Sequence, residues 1–322
     1  MAEPTARIGV VAIGRNEGAR LERCLASIPR ELATVYVDSG STDGSVAVAR
    51  SAGAHVVALD MALPFTAARA RNEGWRTLIE AEPGLDYVQF VDGDCEFELG
   101  WIEAATAYLD TEPGYAVTCG RRRERFPEAS FYNRLCDAEW NTPVGEAEAC
   151  GGDALVRISA LIDIEGYDAT LMAGEEPEMC MRLREEGWRV YRLDAPMTIH
   201  DAAMLRFGQW WTRARRSGFG YAQVWNATRH RRNSLYVREL NRAVLWAGLV
   251  PGLALFLAAL VDWRLVLIAP FLWALQVFRY GKRVGISKAA LFLVGKFAEL
   301  SGALAFLRRK LGAAPDHAIT YK

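Results

Sequence analysis

Two carboxylates directly follow an apolar run in the first third of the chain. Residues 87–91 (Tyr-Val-Gln-Phe-Val) are typical of a buried strand, and Asp92, Gly93 and Asp94 stand at its end. Ligands bind outside the carboxyl ends of strands in open α/β sheets, and two carboxylates at i and i+2 can share a divalent cation there. Glycine lets the backbone bend between them. An ordinary solvated turn is the alternative, because Asp and Gly are common turn residues.

Alternating strands and helices position this motif. Strands are predicted at 7–13, 33–37, 54–58 and 87–91, and helices at 19–27, 45–52 and 66–79. This alternation is typical of an α/β fold with a doubly wound, mostly parallel sheet. Asp38 follows the second strand as Asp92 follows the fourth, so we expect the two carboxylates to flank one cleft.

The composition excludes several classes of protein. A chain of 322 residues that is 51% hydrophobic can bury a large core, and its net charge of -1 lacks the basic excess of a nucleic-acid-binding protein. Six cysteines without a CxxC pair indicate reduced thiols rather than a zinc knuckle. The amino terminus, Met1 to Arg7, lacks the pattern of a signal peptide, which predicts that the amino-terminal part stays in the cytoplasm.

The stretches at residues 11–17, 37–45, 68–74 and 92–94 contain motifs of one enzyme family. Together they resemble inverting glycosyltransferases of family 2, which have the GT-A fold. Residues 11–17 (VAIGRNE) resemble the family's opening strand and Asn-Glu turn, and 37–45 (VDSGSTDGS) its base- and ribose-binding loop. Residues 68–74 (ARARNEG) resemble its Ala-Arg-Asn-x-Gly helix, and 92–94 its DxD metal site. With the segments below, the resemblance covers about residues 7–216.

The resemblance implies how a nucleoside-diphosphate sugar, linked to UDP, GDP or dTDP, would be bound. Asp38 would accept hydrogen bonds from the nucleobase, and Asp43 or Asp92 from the ribose hydroxyls. Asp94 would hold Mn2+ or Mg2+ on the diphosphate, with Asp92 and His200 as further ligands.

Other residues of these stretches are expected around the donor. Arg69 or Arg71 could add positive charge near the phosphates. For Asn16, Glu17 and Asp43, helix capping is the alternative to ligand contact. The expected donor-binding residues are Asn16, Glu17, Asp38, Ser41, Asp43, Arg69, Arg71, Asn72, Asp92, Gly93, Gly152, Asp153, Arg213 and Arg216.

The acceptor half of the site is expected from two later segments. Gly152 and Asp153 lie in a stretch that resembles the family's Gly-Gly segment beside the donor sugar, where Asp153 could touch a sugar hydroxyl. Glu175 and Glu176 resemble its Glu-Asp motif, whose second acid deprotonates the acceptor hydroxyl. Because Glu176 replaces that Asp, both acids are candidates for the base. Compensation of the helix dipole is the alternative.

A run of arginines follows the strand predicted at 116–119. Residues 121–125 (Arg-Arg-Arg-Glu-Arg) carry four positive charges. Such a run usually forms a solvated face, and we expect that here, with contact to a substrate phosphate as the alternative.

The last third of the chain indicates a membrane. Residues 202–223 combine aromatic and basic side chains, which is typical of an interfacial helix, and Arg213 or Arg216 could reach the diphosphate. Residues 243–261 are uncharged, and with 265–278 they predict a transmembrane hairpin at about 243–278. Flanking arginines and lysines predict that both ends face the cytoplasm. Residues 286–307 are expected to form an amphipathic interfacial helix, with a third span as the alternative.

These observations define one hypothesis and two alternatives. A cytoplasmic GT-A domain (1–226) and a membrane region (227–322) would transfer a sugar, with inversion, to a hydroxyl of a lipid-linked acceptor at the inner membrane. The expected acceptor is a polyprenyl-diphosphate-linked saccharide or a glycolipid of envelope or exopolysaccharide synthesis. The alternatives are a catalytically silent scaffold and a processive polysaccharide synthase, although a QxxRW motif in the expected spacing is missing.

Overall fold

The computed structural model describes residues 7–312. The first six residues, on which the absence of a signal peptide was predicted, lie outside this range. The chain divides into two compact units, Met1–Arg206 and Phe207–Lys322, which are described separately below.

Nine strands form one mixed sheet in the described part of the first unit. Their bounds are Ile8–Gly14 (β1), Ala33–Asp38 (β2), His55–Ala58 (β3), Tyr87–Asp92 (β4), Cys95–Phe97 (β5), Tyr115–Glu124 (β6), Gly145–Ala147 (β7), Ala154–Arg157 (β8) and Arg189–His200 (β9). The order is β3-β2-β1-β4-β8-β6-β9-β5, and β7 pairs with β9. Strands β1 to β4 are parallel, whereas β8 is antiparallel to both β4 and β6. The predicted α/β sheet is therefore confirmed.

Helices cover both faces of this sheet. Those of the first unit are Ala19–Ala26 (α1), Ser45–Ser51 (α2), Ala67–Ala81 (α3), Trp101–Thr111 (α4), Phe131–Trp140 (α5), Ile158–Asp163 (α6) and Glu175–Glu185 (α7). Because side chains alternate along a strand, Val11 of β1 faces the core that includes α3, and Val10 faces the core that includes α1. Gly74 lets α3 approach the sheet, since a Cβ there would lie 2.3 Å from Cγ1 of Val11.

The strand register places two of the predicted acids at one edge of the sheet. Asp38, at the end of β2, pairs with Gly14 of β1, and Asp92, at the end of β4, pairs with Ile13 of β1. The two carboxylates therefore flank the carboxyl end of β1, and the cleft expected between them stays a prediction.

Helices make up the second unit. They are Phe207–Thr228 (α8), Val237–Ala243 (α9), Val250–Leu260 (α10), Ile268–Val284 (α11) and Ile286–Lys310 (α12). A π-helical turn, Val244–Leu249, joins α9 and α10 into one continuous helix. Helix α8, which the sequence assigned to the catalytic domain, belongs to this unit.

Two helices of the second unit are long and apolar enough to cross a membrane, by length and composition only. They are Val237–Leu260 and Ile286–Lys310, and only 11% and 17% of their apolar stretches are buried. The first contains most of the first arm of the predicted hairpin. The second is the helix expected at the interface, whereas the other predicted arm forms a 3-10 turn and the shorter α11. Which helices enter a membrane stays a prediction.

Glycines allow α8 and α12 to pack backbone against backbone. A Cβ on Gly218 of α8 would lie 2.0 Å from the carbonyl oxygen of Glu299, and one on Gly302 of α12 would lie 1.9 Å from that of Arg215. No larger residue fits at either position unless the helices move apart.

We therefore expect Gly218→Ala to destabilise the helical unit by about 1–3 kcal/mol, because the added methyl group overpacks the helix contact. Gly208→Ala on the same helix is the matched control. A Cβ there meets nothing within 4 Å, and alanine favours a helix. Thermal unfolding of the two purified variants, followed by circular dichroism, gives the comparison. Equal stability of the two would contradict the close contact.

Candidate active site

A buried arginine joins two acidic segments that are distant in the sequence. Arg71 of α3 has only 2% of its side chain exposed. Its Nη2 lies 2.9 Å from Oδ1 of Asp92, at the end of β4, and its Nη1 lies 2.9 Å from Oε1 of Glu175, in the first turn of α7. Oε1 of Glu176 is 3.4 Å from the same Nη1. The two segments that resemble a metal site and a catalytic base therefore meet at one guanidinium.

Gly152 leaves the space in which this contact forms. A Cβ at this position would lie 2.7 Å from Nη2 of Arg71 and 2.8 Å from Oδ2 of Asp92. The Gly-Gly segment thus lies against the ion pair, and its contact with a donor sugar stays a prediction.

A second arginine holds Asp92 from the other side. Nη2 of Arg122 lies 2.7 Å from Oδ2 of Asp153 and 3.4 Å from Oδ2 of Asp92. Asp153 is fully buried, and its carboxylate also accepts hydrogen bonds from the backbone N–H of Asp92 and the hydroxyl of Thr198. In this structure Asp153 therefore supports Asp92 from within the core.

The prediction of a solvated arginine run is wrong for Arg121, Arg122 and Arg125, which are partly buried, whereas Arg123 is exposed. Strand β6 continues to Glu124 because it pairs with β9 along its length, so successive arginines point to opposite faces of the sheet. Each described arginine of the run meets a specific acid. The pairs are Arg121 with Asp137, Arg122 with Asp153, Arg123 with Glu98, and Arg125 with Glu96.

The two arginines decide the charge state of Asp92. Burial alone would raise the pKa of this carboxyl, but Arg71 and Arg122 outweigh it and hold the pKa below its ordinary value. Asp92 is therefore ionised, with both oxygens engaged by guanidinium groups.

The two adjacent glutamates of α7 have different surroundings. Glu175 is buried and forms the closer pair with Arg71, whereas 17% of the Glu176 side chain is exposed. Burial and the neighbouring charge of Glu175 raise the pKa of Glu176 to about 7, against the opposing effect of Arg71. A pKa near neutrality suits a general base, which favours Glu176 over Glu175.

Asp94 and His200 face each other beside this cluster. Nε2 of His200, at the end of β9, lies 3.3 Å from Oδ2 of Asp94, and both residues are buried. One ligand atom each of Asp94, Cys95 and His200 lie within 4.8 Å of one another. Burial raises the pKa of the Cys95 thiol well above its ordinary value. Carboxylate and imidazole are the ligand types that suit Mn2+, whereas thiolates select softer metals.

The loops after β1 and β2 are tied to each other at the same edge of the sheet. Oδ2 of Asp38 accepts the backbone N–H groups of Gly40 at 3.0 Å and Ser41 at 2.9 Å. Oδ1 of Asn16 accepts the N–H of Thr42 at 2.7 Å, and Oγ of Ser41 accepts the N–H of Asn16. Asp38, Asn16 and Ser41 thus order the loop that resembles a nucleotide-binding segment.

Helix capping was the alternative to ligand contact for Asn16, Glu17 and Asp43, and the structure distinguishes between these residues. Helix α1 begins after Gly18 without a side-chain cap, and Glu17 pairs with Arg20 at 2.7 Å. Asp43 accepts the N–H of Ser45 at the start of α2, and its hydrogen bonds to Ser45 lower its pKa. Asp43 therefore stabilises the beginning of a helix, whereas Asn16 and Glu17 do not cap α1.

Three residues predicted to bind the donor make hydrogen bonds to other residues of the protein. Arg69 donates to the carbonyl oxygens of Asp60 and Leu63. The amide of Asn72 bonds the backbone of Tyr167 in both directions and also accepts from the indole of Trp75. Gly93 donates its N–H to the carbonyl of Ile13. Arg213 and Arg216 lie on α8 in the second unit, so their reach to a diphosphate stays a prediction.

Comparison with known protein families identifies the family of this chain. Residues 10–208 match the sequence model of Glycosyl transferase family 2, and residues 144–281 match that of Glycosyl transferase family group 2. The chain belongs to glycosyl transferase family 2. The predicted enzyme class is therefore confirmed.

Individual relatives of this family 2 glycosyltransferase are distant. The pre-mycofactocin glycosyltransferase of Mycobacterium tuberculosis is 28% identical over 60% of this chain, but the match spans only 42% of that protein. The succinoglycan biosynthesis protein ExoA of Rhizobium meliloti is 23% identical, over 83% of this chain and 82% of the relative. A mannosyltransferase from Pyrobaculum calidifontis, solved with GDP-Man and Mn2+, is 16% identical with a TM-score of 0.63, over 95% of this chain and 88% of that one. This last likeness confirms the GT-A fold.

The sequence did not single out Trp140, and it indicated Arg122 only as one member of a charged run. The guanidinium of Arg122 lies 5.7 Å from the ring of Trp140, whose ring also meets that of His200 edge-on at 4.7 Å. No local signal distinguishes Arg122, because a solvated run of arginines and one paired with acids have the same pattern.

The donor set fits a divalent cation. A carboxylate and an imidazole are ligands that Mn2+ accepts, and carboxylate and phosphate oxygens suit Mg2+. The acids that these contacts bring together also outnumber the two guanidiniums of Arg71 and Arg122, so a cation would offset the excess negative charge. These acids are Asp92, Asp94, Asp153, Glu175 and Glu176.

We expect Arg71→Met to destabilise the first unit by about 3–5 kcal/mol, because it leaves buried carboxylates without their partner. Arg69→Met, on the same helix, removes only hydrogen bonds to two backbone carbonyls and should cost about 1 kcal/mol. Urea unfolding followed by tryptophan fluorescence measures both. A similar loss of stability in the two variants would show that the ion pairs of Arg71 contribute no more to stability than the hydrogen bonds of Arg69.

Proposed function

We propose that the chain transfers a sugar from a nucleoside-diphosphate sugar to a hydroxyl group of a lipid-linked acceptor, with inversion at the anomeric carbon. The observation that carries this proposal is the contact of Arg71 with both Asp92 and the Glu175–Glu176 pair. It supports one site in which a donor and an acceptor meet.

Asp94 and His200 would hold the cation through Oδ2 and Nε2. When bound, Mn2+ or Mg2+ offsets the charge that develops on the departing nucleoside diphosphate. Asp38, Ser41 and Asn16 order the loop that would receive the nucleoside. The Pyrobaculum mannosyltransferase, solved with GDP-Man and Mn2+, supports a nucleotide-sugar donor and this metal.

Glu176 would act as the general base. Its carboxylate takes the proton of the acceptor hydroxyl, and the oxygen attacks the anomeric carbon opposite the diphosphate. The bond from that carbon to the diphosphate oxygen breaks, and the nucleoside diphosphate leaves with the electron pair. A single displacement inverts the anomeric centre. Arg71 pairs with Glu175 beside Glu176, and burial together with the charge of Glu175 raises the pKa of the base to about 7.

The second unit supports the proposed class of acceptor. Val237–Leu260 and Ile286–Lys310 are apolar and mostly exposed, which supports an acceptor carried by a lipid at the cytoplasmic face of a membrane. The relative named for succinoglycan biosynthesis supports a role in assembling an extracellular or envelope glycan.

We expect Asp94→Ala to abolish transfer without unfolding the protein, because it removes one ligand of the cation. Thermal shifts with Mn2+ and a panel of UDP, GDP and dTDP sugars would identify a donor that stabilises the wild-type protein but not this variant. Glu103→Gln changes an exposed acid on α4 and should behave as the wild type. Normal transfer by Asp94→Ala would exclude this carboxylate as a ligand.

The rate of transfer should depend on the ionisation of Glu176. We expect kcat/KM to rise with pH through about 7 and then level off, because only the ionised carboxylate accepts the proton. Glu175→Gln removes a neighbouring negative charge, lowers the pKa of Glu176 and should move this rise to lower pH. Glu176→Gln should reduce kcat by about 100-fold or more. A pH profile that is the same in Glu175→Gln and the wild type would argue against Glu176 as the base.

A further inference from the structure

Glu124 and His200 end neighbouring strands beside the candidate metal site. Strands β6 and β9 run parallel here, and their register pairs Glu124 with His200. Both residues are buried, with 4% and 8% of their surface exposed. Glu124 takes no part in the proposed reaction, so its burial next to the site needs a reason of its own.

The two ring nitrogens of His200 face different acids. Nε2 lies 3.3 Å from Oδ2 of Asp94. Nδ1 lies 3.9 Å from Oε2 of Glu124 and is buried, with no hydrogen-bond partner among residues 7–312. The edge-on contact with Trp140 restricts rotation of the ring. A small movement of the imidazole would therefore bring Nδ1–H onto the Glu124 carboxylate.

The carboxylate of Glu124 is held in place by other donors. Oε1 accepts the backbone N–H of Phe126 and the side-chain amide of Asn133, each at 3.1 Å. Oε2 accepts the N–H of Ala202, also at 3.1 Å. A carboxylate has about four lone-pair positions, so Oε2 can accept a further hydrogen bond. Glu124 is thus a fixed acceptor directed at His200.

We propose that Glu124 is a positioning residue for metal binding, which accepts the Nδ1–H of His200 and so presents the lone pair of Nε2 to the cation held with Asp94. This inference rests on the proposed function, because it requires the metal site at Asp94 and His200. A carboxylate on the outer nitrogen of a ligating histidine fixes the tautomer and makes the inner nitrogen a stronger ligand. The alternative is that Glu124 only joins the separate segments that contain Phe126, Asn133 and Ala202.

A titration with Mn2+ alone distinguishes the two roles. Electron paramagnetic resonance reports free Mn2+ in solutions of the full chain without nucleotide. We expect Glu124→Gln to weaken Mn2+ binding by about 10- to 100-fold. In a His200→Ala background the same substitution should have no further effect, because both residues act through one imidazole. Glu98→Gln, which changes a neighbouring acid paired with Arg123, is the matched control and should bind as the wild type.

Three results would overturn the inference, and they separate it from the proposed function. Wild-type Mn2+ affinity in Glu124→Gln would show that the carboxylate does not act on the metal site. Losses that add in the double variant would show that Glu124 does not act through His200. If His200→Ala itself binds Mn2+ as the wild type does, the proposed metal site fails as well.

A measurement on the unsubstituted protein covers the case in which Glu124→Gln does not fold. The chain has four histidines, so the imidazole nitrogen spectrum of 15N-labelled protein is simple, and His200→Ala assigns the signal of His200. With Mg2+ bound, we expect the tautomer that carries its proton on Nδ1. A proton on Nε2 would overturn the inference without any change at Glu124.

Discussion

The acidic cluster depends on the ion pairs that the buried guanidinium of Arg71 forms with it. Removing a charge from water costs several kcal/mol, and it is tolerated only where opposite charges and hydrogen bonds replace the solvent. Arg71 meets this condition through Asp92 on one side and Glu175 on the other. The end of β4 and the start of α7 are therefore held at a fixed separation, and Gly152 leaves the space between them.

Strand pairing supplies the second constraint on the site. Asp38 and Asp92 lie at the edge of the sheet because β2 and β4 pair with the two sides of β1, and their register is set by the buried faces of the strands. On the far side of the sheet, β9 carries His200 to Cys95, the neighbour of Asp94. Acids and imidazole thus come from strands that start far apart in the sequence.

The parts of this arrangement that local patterns encode could be predicted. Strand periods and turn residues indicated the sheet, and the motifs around Asp92 and Glu176 indicated the two halves of the site. Arg122 could not be placed in this way, because a run of like charges has the same local pattern whether it is solvated or paired with acids. The role of Asn72 was equally hidden, since its motif does not tell which neighbour its amide meets.

The lengths of chain between these partners also bear on synthesis at the ribosome. Arg71 and Glu175 are 104 residues apart in the sequence, although β1 to β4 are complete soon after Arg71. Contacts of such long sequence separation form late, because the intervening chain must first be ordered. While α7 is still to be made, the growing polypeptide holds an arginine that has only Asp92 as a partner. The catalytic centre can therefore close only after α7 has been translated, when more than half of the protein already exists.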